Sequence, residues 1–343
     1  MVKREDLLEC EKVQSVAFAY SLDTAKLEKL LAEEPEPADP YIAYYNEKNV
    51  ITACMELPEY QVRYDGQWVR MVGVGAVASL PEYRFQGAVR EMLLTALRQM
   101  REHGAVFSSL YPFSHPYYRQ FGYEVCQMSP EYEVPVEALA KFRCEGKVRM
   151  IHPGESMDGL KTVFDAHFLH YNLAVRGEER HWSKILGEDP YQERVYSYLV
   201  EGGESPIAYV VLEAGDAGPE EKLGTVREMA FAGPRGLRDV LGLLYRLGAR
   251  YKTLRISLPD DVPLAALLEE SYQLKGSWRN QQMTRVVNVQ KALEGKRHFD
   301  GAAYTLCVQD DGLPENNGFY SVRCKNGAVS AQKEPQSGPA DLT

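Results

Sequence analysis

The spacing of apolar residues in the first third of the chain changes from helical to extended. Spacings of three and four predict helices over residues 5–20 and 23–34. Alternation of apolar and polar positions then predicts strands over 41–45, 50–60 and the two arms of a hairpin within 61–75. The hairpin is centred on Asp65-Gly66, a dipeptide typical of two-residue turns. Two helices and an antiparallel meander are therefore expected before residue 75.

The most informative segment is a strand that leads through a basic, glycine-containing turn into a helix. The apolar run Val74–Leu80 stops at Pro81, and helical spacing restarts at Val89, directly after the segment 84–88. Free N–H groups at a helix start attract anions, and Gly87 has no Cβ, so a phosphate can approach the backbone closely. The segment therefore predicts a site for a phosphorylated cofactor.

The second part of the chain repeats this order of elements. The predicted helices are 156–175, 237–247 and 262–272, and the predicted strands are 196–200, 206–213, 223–230, 253–258 and 281–289. The turn equivalent to the glycine-containing one, residues 231–236, has no Arg-x-x-Gly pattern, and Pro234 removes one N–H donor. This part is expected to fold like the first without a cofactor of its own.

Composition narrows the classes of function. A chain of 343 residues is long enough for two or three domains. A net charge of −10 argues against broad binding to nucleic acid or anionic membranes and is compatible with a cationic substrate. The six cysteines contain no CxxC pair, and no secretory or membrane-spanning apolar run occurs, so reduced thiols and a cytoplasmic location are expected.

The sequence gives no support for a metal site. His167 and His170 are three residues apart on a predicted helix, but no cysteine or acidic partner stands at ligand spacing. We therefore expect no metal cofactor.

Residues 74–90 resemble the acetyl-CoA site of the GNAT N-acetyltransferases. The signature of that superfamily is Arg/Gln-x-x-Gly-x-Gly/Ala after the fourth strand, and Arg84-x-x-Gly87 fits it. The last position is Val89, where the superfamily usually has Gly or Ala. The resemblance implies that acetyl-CoA is the phosphorylated ligand.

A second motif follows about 30 residues later. The segment 110–113, followed by Tyr118-Arg119-Gln120-Phe121-Gly122-Tyr123, is similar to the enhanced-intracellular-survival (Eis) branch of the GNAT superfamily. In that branch the first tyrosine of the Tyr-x-x-Phe-Gly-Tyr element, here Tyr118, is the general acid that reprotonates the coenzyme A thiolate. A phenol, with an ordinary pKa of about 10, is suited to that step.

The resemblance also implies a set of acetyl-CoA contacts. These are the backbone of Val77, Ala78 and Ser79 for the pantetheine arm, the segment Arg84, Phe85, Gln86, Gly87, Ala88, Val89 and Arg90 for the pyrophosphate, and Phe113 and Ser114 beside the thioester. Phe85 and Gln86 occupy positions that are often arginine in relatives, so the backbone amides would carry more of the binding.

The expected fold class is α+β, with two tandem GNAT-like domains followed by an apparently incomplete sterol-carrier-like domain. The predicted limits are 1–130, 131–286 and 287–343. Strands are expected over 304–308 and 319–324, and the run from Asp310 to Gly318 looks like the start of the sterol-carrier-like domain. About half of such a domain is present, so we expect the chain to be truncated. The family's catalytic base is the C-terminal carboxylate, a role that is not assigned to Thr343.

The resemblance implies acetyl-CoA-dependent N-acetylation of a small cationic amine, polyamine-like or aminoglycoside-like, by direct transfer. It also implies a homo-oligomer, a trimer or a hexamer. One alternative is a protein or peptide N-acetyltransferase on the same scaffold. The other is a non-catalytic protein that senses acetyl-CoA or lipid.

Overall fold

The computed structural model describes residues 6–33, 40–177, 179–187, 189–214 and 223–334. The chain divides into two compact units, unit 1 with residues 1–127 and 281–343 and unit 2 with residues 128–280. Each unit has a mixed sheet with helices on both faces, which confirms the expected α+β class. In the described ranges, no helix is long and apolar enough to cross a bilayer.

The helices are α1 Leu7–Phe18, α2 Thr24–Glu33, α3 Ala88–Glu102, α4 His115–Arg119, α5 Asp158–Phe168, α6 Glu179–Leu186, α7 Pro190–Glu193, α8 Gly233–Arg246, α9 Leu264–Leu267 and α10 Val289–Gly295. The strands are β1 Tyr41–Tyr45, β2 Ile51–Glu56, β3 Glu59–Tyr64, β4 Gln67–Ser79, β5 Phe107–Leu110, β6 Glu124–Pro135, β7 Lys147–Ile151, β8 Val195–Glu201, β9 Pro206–Ala214, β10 Leu223–Phe231, β11 Thr253–Ser257, β12 Lys275–Val286, β13 Ala303–Val308, β14 Gly318–Lys325 and β15 Ala328–Glu334.

The sheet of unit 1 has the strand order β1-β2-β4-β5-β12, with β3 paired to β4. The central strands β4 and β5 are parallel and pair from Met71 opposite Phe107 to Val74 opposite Leu110. The last residues of β12 pair antiparallel with β5, with Met283 opposite Leu110. Beyond Val74 and Leu110, β4 and β5 form no further pairs, so the sheet opens there.

Alternate residues of β2 face α1 and α3, which lie on opposite sides of the sheet. Ala53 and Met55 are buried with α3, whereas Cys54 is buried with Cys10 and Val13 of α1. The helix α3 buries the apolar stripe that its sequence predicts: Met92, Leu93, Ala96, Leu97 and Met100. Burial of each large side chain contributes about 1.5–3 kcal/mol, which fixes α3, and thus its first turn, against the sheet.

The predicted hairpin at Asp65-Gly66 is confirmed. Asp65 has a φ of 44° and Gly66 a φ of 92°, the paired positive values of a two-residue turn between β3 and β4. The strand β4 then continues to Ser79, so the second arm of the hairpin and the apolar run Val74–Leu80, which the sequence analysis treats separately, form one strand. Gly73 lies within this strand but does not form a turn. Glycine is needed there for close packing, since a Cβ would lie 2.9 Å from the ring of Pro58.

In unit 2, the sheet order is β6-β11-β10-β9-β8-β7. The helices α5 and α6 pack on one face and α8 on the other. Strands predicted over 196–200, 206–213, 223–230 and 253–258 are confirmed. The helix predicted over 262–272 is wrong in length, since the chain is already extended at Leu268. The helix predicted from 237 begins earlier, at Gly233, because the fixed φ of Pro234 suits a first helical turn.

The C-terminal region, residues 303–334, forms the antiparallel sheet β13-β14-β15, against which α10 packs. Both predicted strands of this region are present. The sterol-carrier-like domain is not confirmed and stays a prediction. Residues 281–286 belong to unit 1, whereas the sequence division assigns them to the second domain, because β12 pairs with β5. Thr343 lies outside the described residues.

Candidate active site

An irregularity in β4 marks the point where the sheet opens. Cys54 of β2 pairs with Ala78, while Glu56 pairs with Gly75, so β4 has one residue more than β2 over this stretch. Ala76 within it has a φ of 46°, in the left-handed region. Such a β-bulge bends and twists a strand. The end of β4 is therefore redirected at this point.

The end of β4 has one free edge. Leu80 donates its N–H to the carbonyl of Thr52 at 2.9 Å, so by the alternation of a strand the backbone groups of Ala78 also point to β2. Those of Val77 and Ser79 point the opposite way, where β5 has stopped pairing. An extended molecule can add to such an edge through main-chain hydrogen bonds. Of the three predicted backbone contacts, Val77 and Ser79 have the available groups, and Ala78 does not.

The start of α3 has free backbone donors at the place where the sequence predicts an anion site. Gly87 is the N-cap with a φ of 90°, and the first helical bond runs from the N–H of Glu91 to the Gly87 carbonyl at 3.0 Å. The N–H groups of Ala88, Val89 and Arg90 donate to no other described residue. A Cβ on Gly87 would meet nothing within 4 Å, so the space next to the backbone is open. Free donors, the helix dipole and open space together fit a phosphate group.

The side chains of the loop before α3 contribute unequally. Arg84 is exposed and makes no ion pair with a described residue. Phe85 is fully exposed and has a φ of 64°. The side-chain amide of Gln86 donates to the backbone carbonyl of Glu82 at 3.3 Å. Neither Phe85 nor Gln86 offers a cation, so Arg84 is the charged side chain available at this loop.

Arg90 is directed at the aromatic segment downstream. The guanidinium carbon of Arg90 lies 5.7 Å from the ring centroid of Phe121, a cation–π distance. The charge of Arg90 also acts to lower the pKa of Tyr117, although burial raises that pKa overall. The start of α3 and the segment after β5 are thus in contact.

The short helix α4 begins at Ser114 and carries Tyr118. The hydroxyl of Ser114 accepts the N–H of Tyr117 at 3.4 Å, which caps the helix. The Tyr118 side chain is 2% exposed, and its ring lies 5.2 Å from Phe113 and 6.2 Å from Tyr123 between centroids. Phe113 itself is 72% exposed. Phe113 and Tyr118 therefore form an aromatic wall that leads from the surface to a buried phenol.

The Tyr118 hydroxyl is not committed to another group. It makes no hydrogen bond with a described residue, and burial, with smaller effects of Tyr117 and Tyr123, raises its pKa above the ordinary value. Tyr123 differs, because its hydroxyl pairs with the Ser108 hydroxyl at 2.7 Å, while burial raises its pKa to about 12. Tyr118 is thus a protonated phenol whose proton is free for donation.

Four of the predicted site residues meet around one core cluster. Tyr118 and Ala88 are buried in it, and Val77 and Val89 pack against it. Phe113 joins this group through its ring contact with Tyr118. Ala78 faces α1 instead, in the cluster of Cys10 and Cys54, and Phe85 is fully exposed.

Three features of this site have no local signal in the sequence. They are the bulge at Ala76, the contact of Arg90 with Phe121, and the hydrogen bond that Arg285 donates to the Phe121 carbonyl. The Nε2 atom of His115 is also buried and has no partner among the described residues. Within the same ranges, no three histidine, cysteine or acidic side chains gather as a metal site.

Comparison with protein families gives two matches. A model of the acetyltransferase (GNAT) domain matches residues 1–126, and a second acetyltransferase (GNAT) domain model matches residues 173–286. Together they match well over half of the chain. No curated protein sequence matches it significantly.

Solved structures with this fold include three bacterial proteins. A GCN5-related N-acetyltransferase from Anabaena variabilis is 20% identical with a TM-score of 0.84, covering 98% of this chain and 85% of its own. A probable N-acyltransferase from Enterococcus faecalis is 20% identical with a TM-score of 0.85, and the match covers 97% of this chain and 84% of that protein. Eis1 from Mycobacterium abscessus is 18% identical with a TM-score of 0.78, covering 99% and 85%.

These matches confirm the two tandem GNAT domains, and the shared fold with Eis1 confirms the expected Eis-like resemblance at the level of the fold. The chain belongs to the GNAT superfamily of N-acetyltransferases.

Proposed function

We propose that unit 1 transfers the acetyl group of acetyl-CoA directly to the amine of a small cationic molecule. The observation that carries this proposal is the Tyr118 side chain, whose ring is buried and whose hydroxyl has no hydrogen-bond partner among the described residues. It belongs to the same core cluster as Val74 and Leu110, the residues at which β4 and β5 separate. A proton donor is thus close to the place where a thioester can enter the sheet.

The residues fit acetyl-CoA as the acyl donor. The free edge at Val77 and Ser79 would pair with the amides of the pantetheine arm. The N–H groups of residues 88–90 and the side chain of Arg84 would hold the pyrophosphate, with Gly87 leaving room for it. Phe113 and Ser114 would flank the thioester. Phe85 and Gln86 would contribute to pyrophosphate binding through their backbone N–H groups.

Direct transfer requires one bond to form and one to break. The neutral amine attacks the thioester carbon, the new C–N bond forms, and the C–S bond breaks. A strand N–H at the free edge would polarise the carbonyl oxygen. Tyr118 donates its hydroxyl proton to the departing sulfur, and the proton that the attacking nitrogen loses returns through water to the Tyr118 phenolate, so overall one amine proton ends on the thiol. A general acid typically supplies about 10²–10⁴-fold in rate.

The acceptor class rests on charge. The net charge of −10 creates an electrostatic field that attracts cations to the protein. This field favours polyamine-like and aminoglycoside-like acceptors over amines that carry negative charge. A protein or peptide amine is the second candidate for the same chemistry. We also propose that the chain is a cytoplasmic homo-oligomer, a trimer or a hexamer, as the family resemblance implies.

A panel of acceptors tests the proposal. Acetyl-CoA is incubated with spermidine, spermine, an aminoglycoside and a lysine-containing peptide, and coenzyme A release is followed together with the mass of the product. We expect release with the small polycations and an acetylated amine as the product. Turnover only with the peptide would favour the second candidate. Binding of acetyl-CoA without turnover of any acceptor would favour a sensing protein and refute the proposal.

A further inference from the structure

A buried arginine connects the C-terminal region to the turn that follows α4. Arg285 of β12 is 4% exposed. One of its terminal nitrogens donates to the carbonyl of Phe121, and the other lies 2.5 and 2.6 Å from the carboxylate oxygens of Asp310. Burial alone would raise the pKa of Asp310, but a hydrogen bond from Asn316 and the charge of Arg285 lower it below its ordinary value. The Asp310 carboxyl is therefore ionised, and a single nitrogen of Arg285 bonds to both of its oxygens.

The turn that Arg285 holds is directly bonded to Tyr118. The N–H groups of Phe121 and Tyr123 both donate to the Tyr118 carbonyl, at 3.0 and 3.3 Å. Gly122 has a φ of 77°, and a Cβ there would lie 2.9 Å from a terminal nitrogen of Arg285. The guanidinium thus packs on the turn as well as bonding to it. Displacement of the guanidinium would release the turn on which Tyr118 is anchored.

The partner of Arg285 is itself anchored to the helix α3. Asn316 is fully buried and donates to Asp310 at 2.9 Å and to the Val287 carbonyl at 3.2 Å. Its side-chain oxygen accepts from Arg101, in the last turn of α3, at 2.5 Å. Asp310 and Asn316 are therefore linked through Arg285 to the segment that carries Tyr118. Through Arg101, Asn316 also contacts the helix whose first turn offers free N–H groups.

We propose that Arg285, held by Asp310, is a positioning residue that fixes Tyr118 for proton donation to the sulfur of coenzyme A. The inference rests on the proposed function. No described residue forms a hydrogen bond with the Tyr118 hydroxyl, so the placement of this side chain depends on ring packing and on this turn. Misplacement of a catalytic group by about 1 Å can cost about 10²-fold in rate.

The test uses Arg285→Lys, which keeps a positive charge opposite Asp310 but loses the forked donor. In the wild-type background, kcat should fall about 10–100-fold, with the KM for acetyl-CoA changed less than about threefold. In the Tyr118→Phe background, the same substitution should cost nothing further, because the proton donor is already absent. Arg255→Lys is the matched control, on a strand of unit 2 where Arg255 pairs with Glu133, and it should leave kcat unchanged. If Arg285→Lys does not fold, Asp310→Asn tests the same ion pair from its acidic side.

Three results would overturn the inference. The first is an equal loss of kcat in the Tyr118→Phe background, which would show a role that is only structural. The second is an unchanged kcat in the wild-type background. The third is independent of turnover. Hydrogen exchange at the amides of Phe121 and Tyr123 should accelerate in Arg285→Lys, whereas peptides of unit 2 should not change. Unaltered exchange contradicts the inference even if the wild type has no transferase activity, a result that by itself refutes only the proposed function.

Discussion

At the residue scale, Tyr118 and Tyr123 lie in one turn but differ in the use of their hydroxyls. Tyr123 is bonded to Ser108, and Tyr118 has no partner among the described residues. Both rings are buried, so ionisation of either phenol is penalised by desolvation. A buried phenol with an unused proton is suited to an acid step, whereas Tyr123 is suited to holding β5.

The raised pKa of Tyr118 predicts a particular dependence of the rate on pH. An acid acts while it is protonated, so a pKa above the ordinary value of about 10 keeps Tyr118 active at least up to pH 10. The acceptor must be neutral, so kcat/KM should rise with pH as the amine loses its proton. We expect a rise from pH 7 to 9 and no decline before about pH 10. Initial rates corrected for enzyme-free thioester hydrolysis measure this, and a decline centred near pH 8 would exclude Tyr118 as the acid.

The proposed pyrophosphate contact makes a prediction for Gly87. Gly87→Val places side-chain atoms in the open space over the start of α3, so affinity for acetyl-CoA should fall about 10–100-fold, the value of one lost charge-assisted hydrogen bond or more. Both Gly87 and Gly154 have positive φ, 90° and 84°, with nothing within 4 Å of a built Cβ. Gly154→Val in unit 2 thus carries the same backbone strain and should not change affinity. Calorimetric titration compares the two, and equal affinities would disprove the placement.

At the scale of elements, the site is formed where β4 and β5 separate. The hairpin at Asp65-Gly66 and the stripe of α3 could be predicted, because both follow from local rules of turn chemistry and helical spacing. The bulge at Ala76 could not, since alanine has no preference for a φ of 46° and the distortion is imposed by the sheet. The free edge depends on β5 ending at Leu110, which is a tertiary property.

The free edge can be tested by removing one N–H group. Ser79→Pro deletes an amide that points away from β2, and the preceding residue is already extended, as proline requires. We expect acetyl-CoA affinity to fall about tenfold while the thermal midpoint changes by only a few degrees. Ala78→Pro is the matched control, since that amide belongs to the pair with Cys54, and it should lower the thermal midpoint strongly. If Ser79→Pro binds acetyl-CoA like the wild type, the strand-addition mode is wrong.

At the scale of the whole molecule, the two units share an order of elements but differ at the turn that would bind phosphate. In unit 1, residues 80–87 separate β4 from α3. In unit 2, Ala232 alone separates β10 from α8, and its N–H donates to Ile207 at 2.7 Å. A Cβ on Gly236 would lie 2.2 Å from the Ile207 carbonyl, so α8 packs directly on the backbone of β9. The connection between β10 and α8 therefore contains no loop that could hold a pyrophosphate.

This difference predicts one acetyl-CoA per chain. Pro234 in the first turn of α8 removes a further donor, so the second unit should not bind even at high ligand concentration. Titration by calorimetry should saturate at a stoichiometry of one, and Gly87→Val should still titrate as a single, weaker site. A stoichiometry of two would contradict the assignment of unit 2.

Long-range pairing is the part of the molecule that the sequence could not reveal. The order of elements in both units follows from local periodicity. The pairing of β12 with β5, and the contact of Arg285 with Phe121 across 164 positions, join segments that no motif relates. The family resemblance identified Tyr118 through its motif, but the residues that support it from the C-terminal region are visible only in the fold.

The most direct test of the account is acetyl transfer by Tyr118→Phe. This change keeps the ring and its packing on Phe113 and removes only the proton donor. With a polyamine acceptor, the rate of coenzyme A release should fall about 10²–10⁴-fold, and acetyl-CoA affinity should stay within about twofold of the wild type. A rate reduced less than about threefold would contradict the account, because another group would then protonate the sulfur.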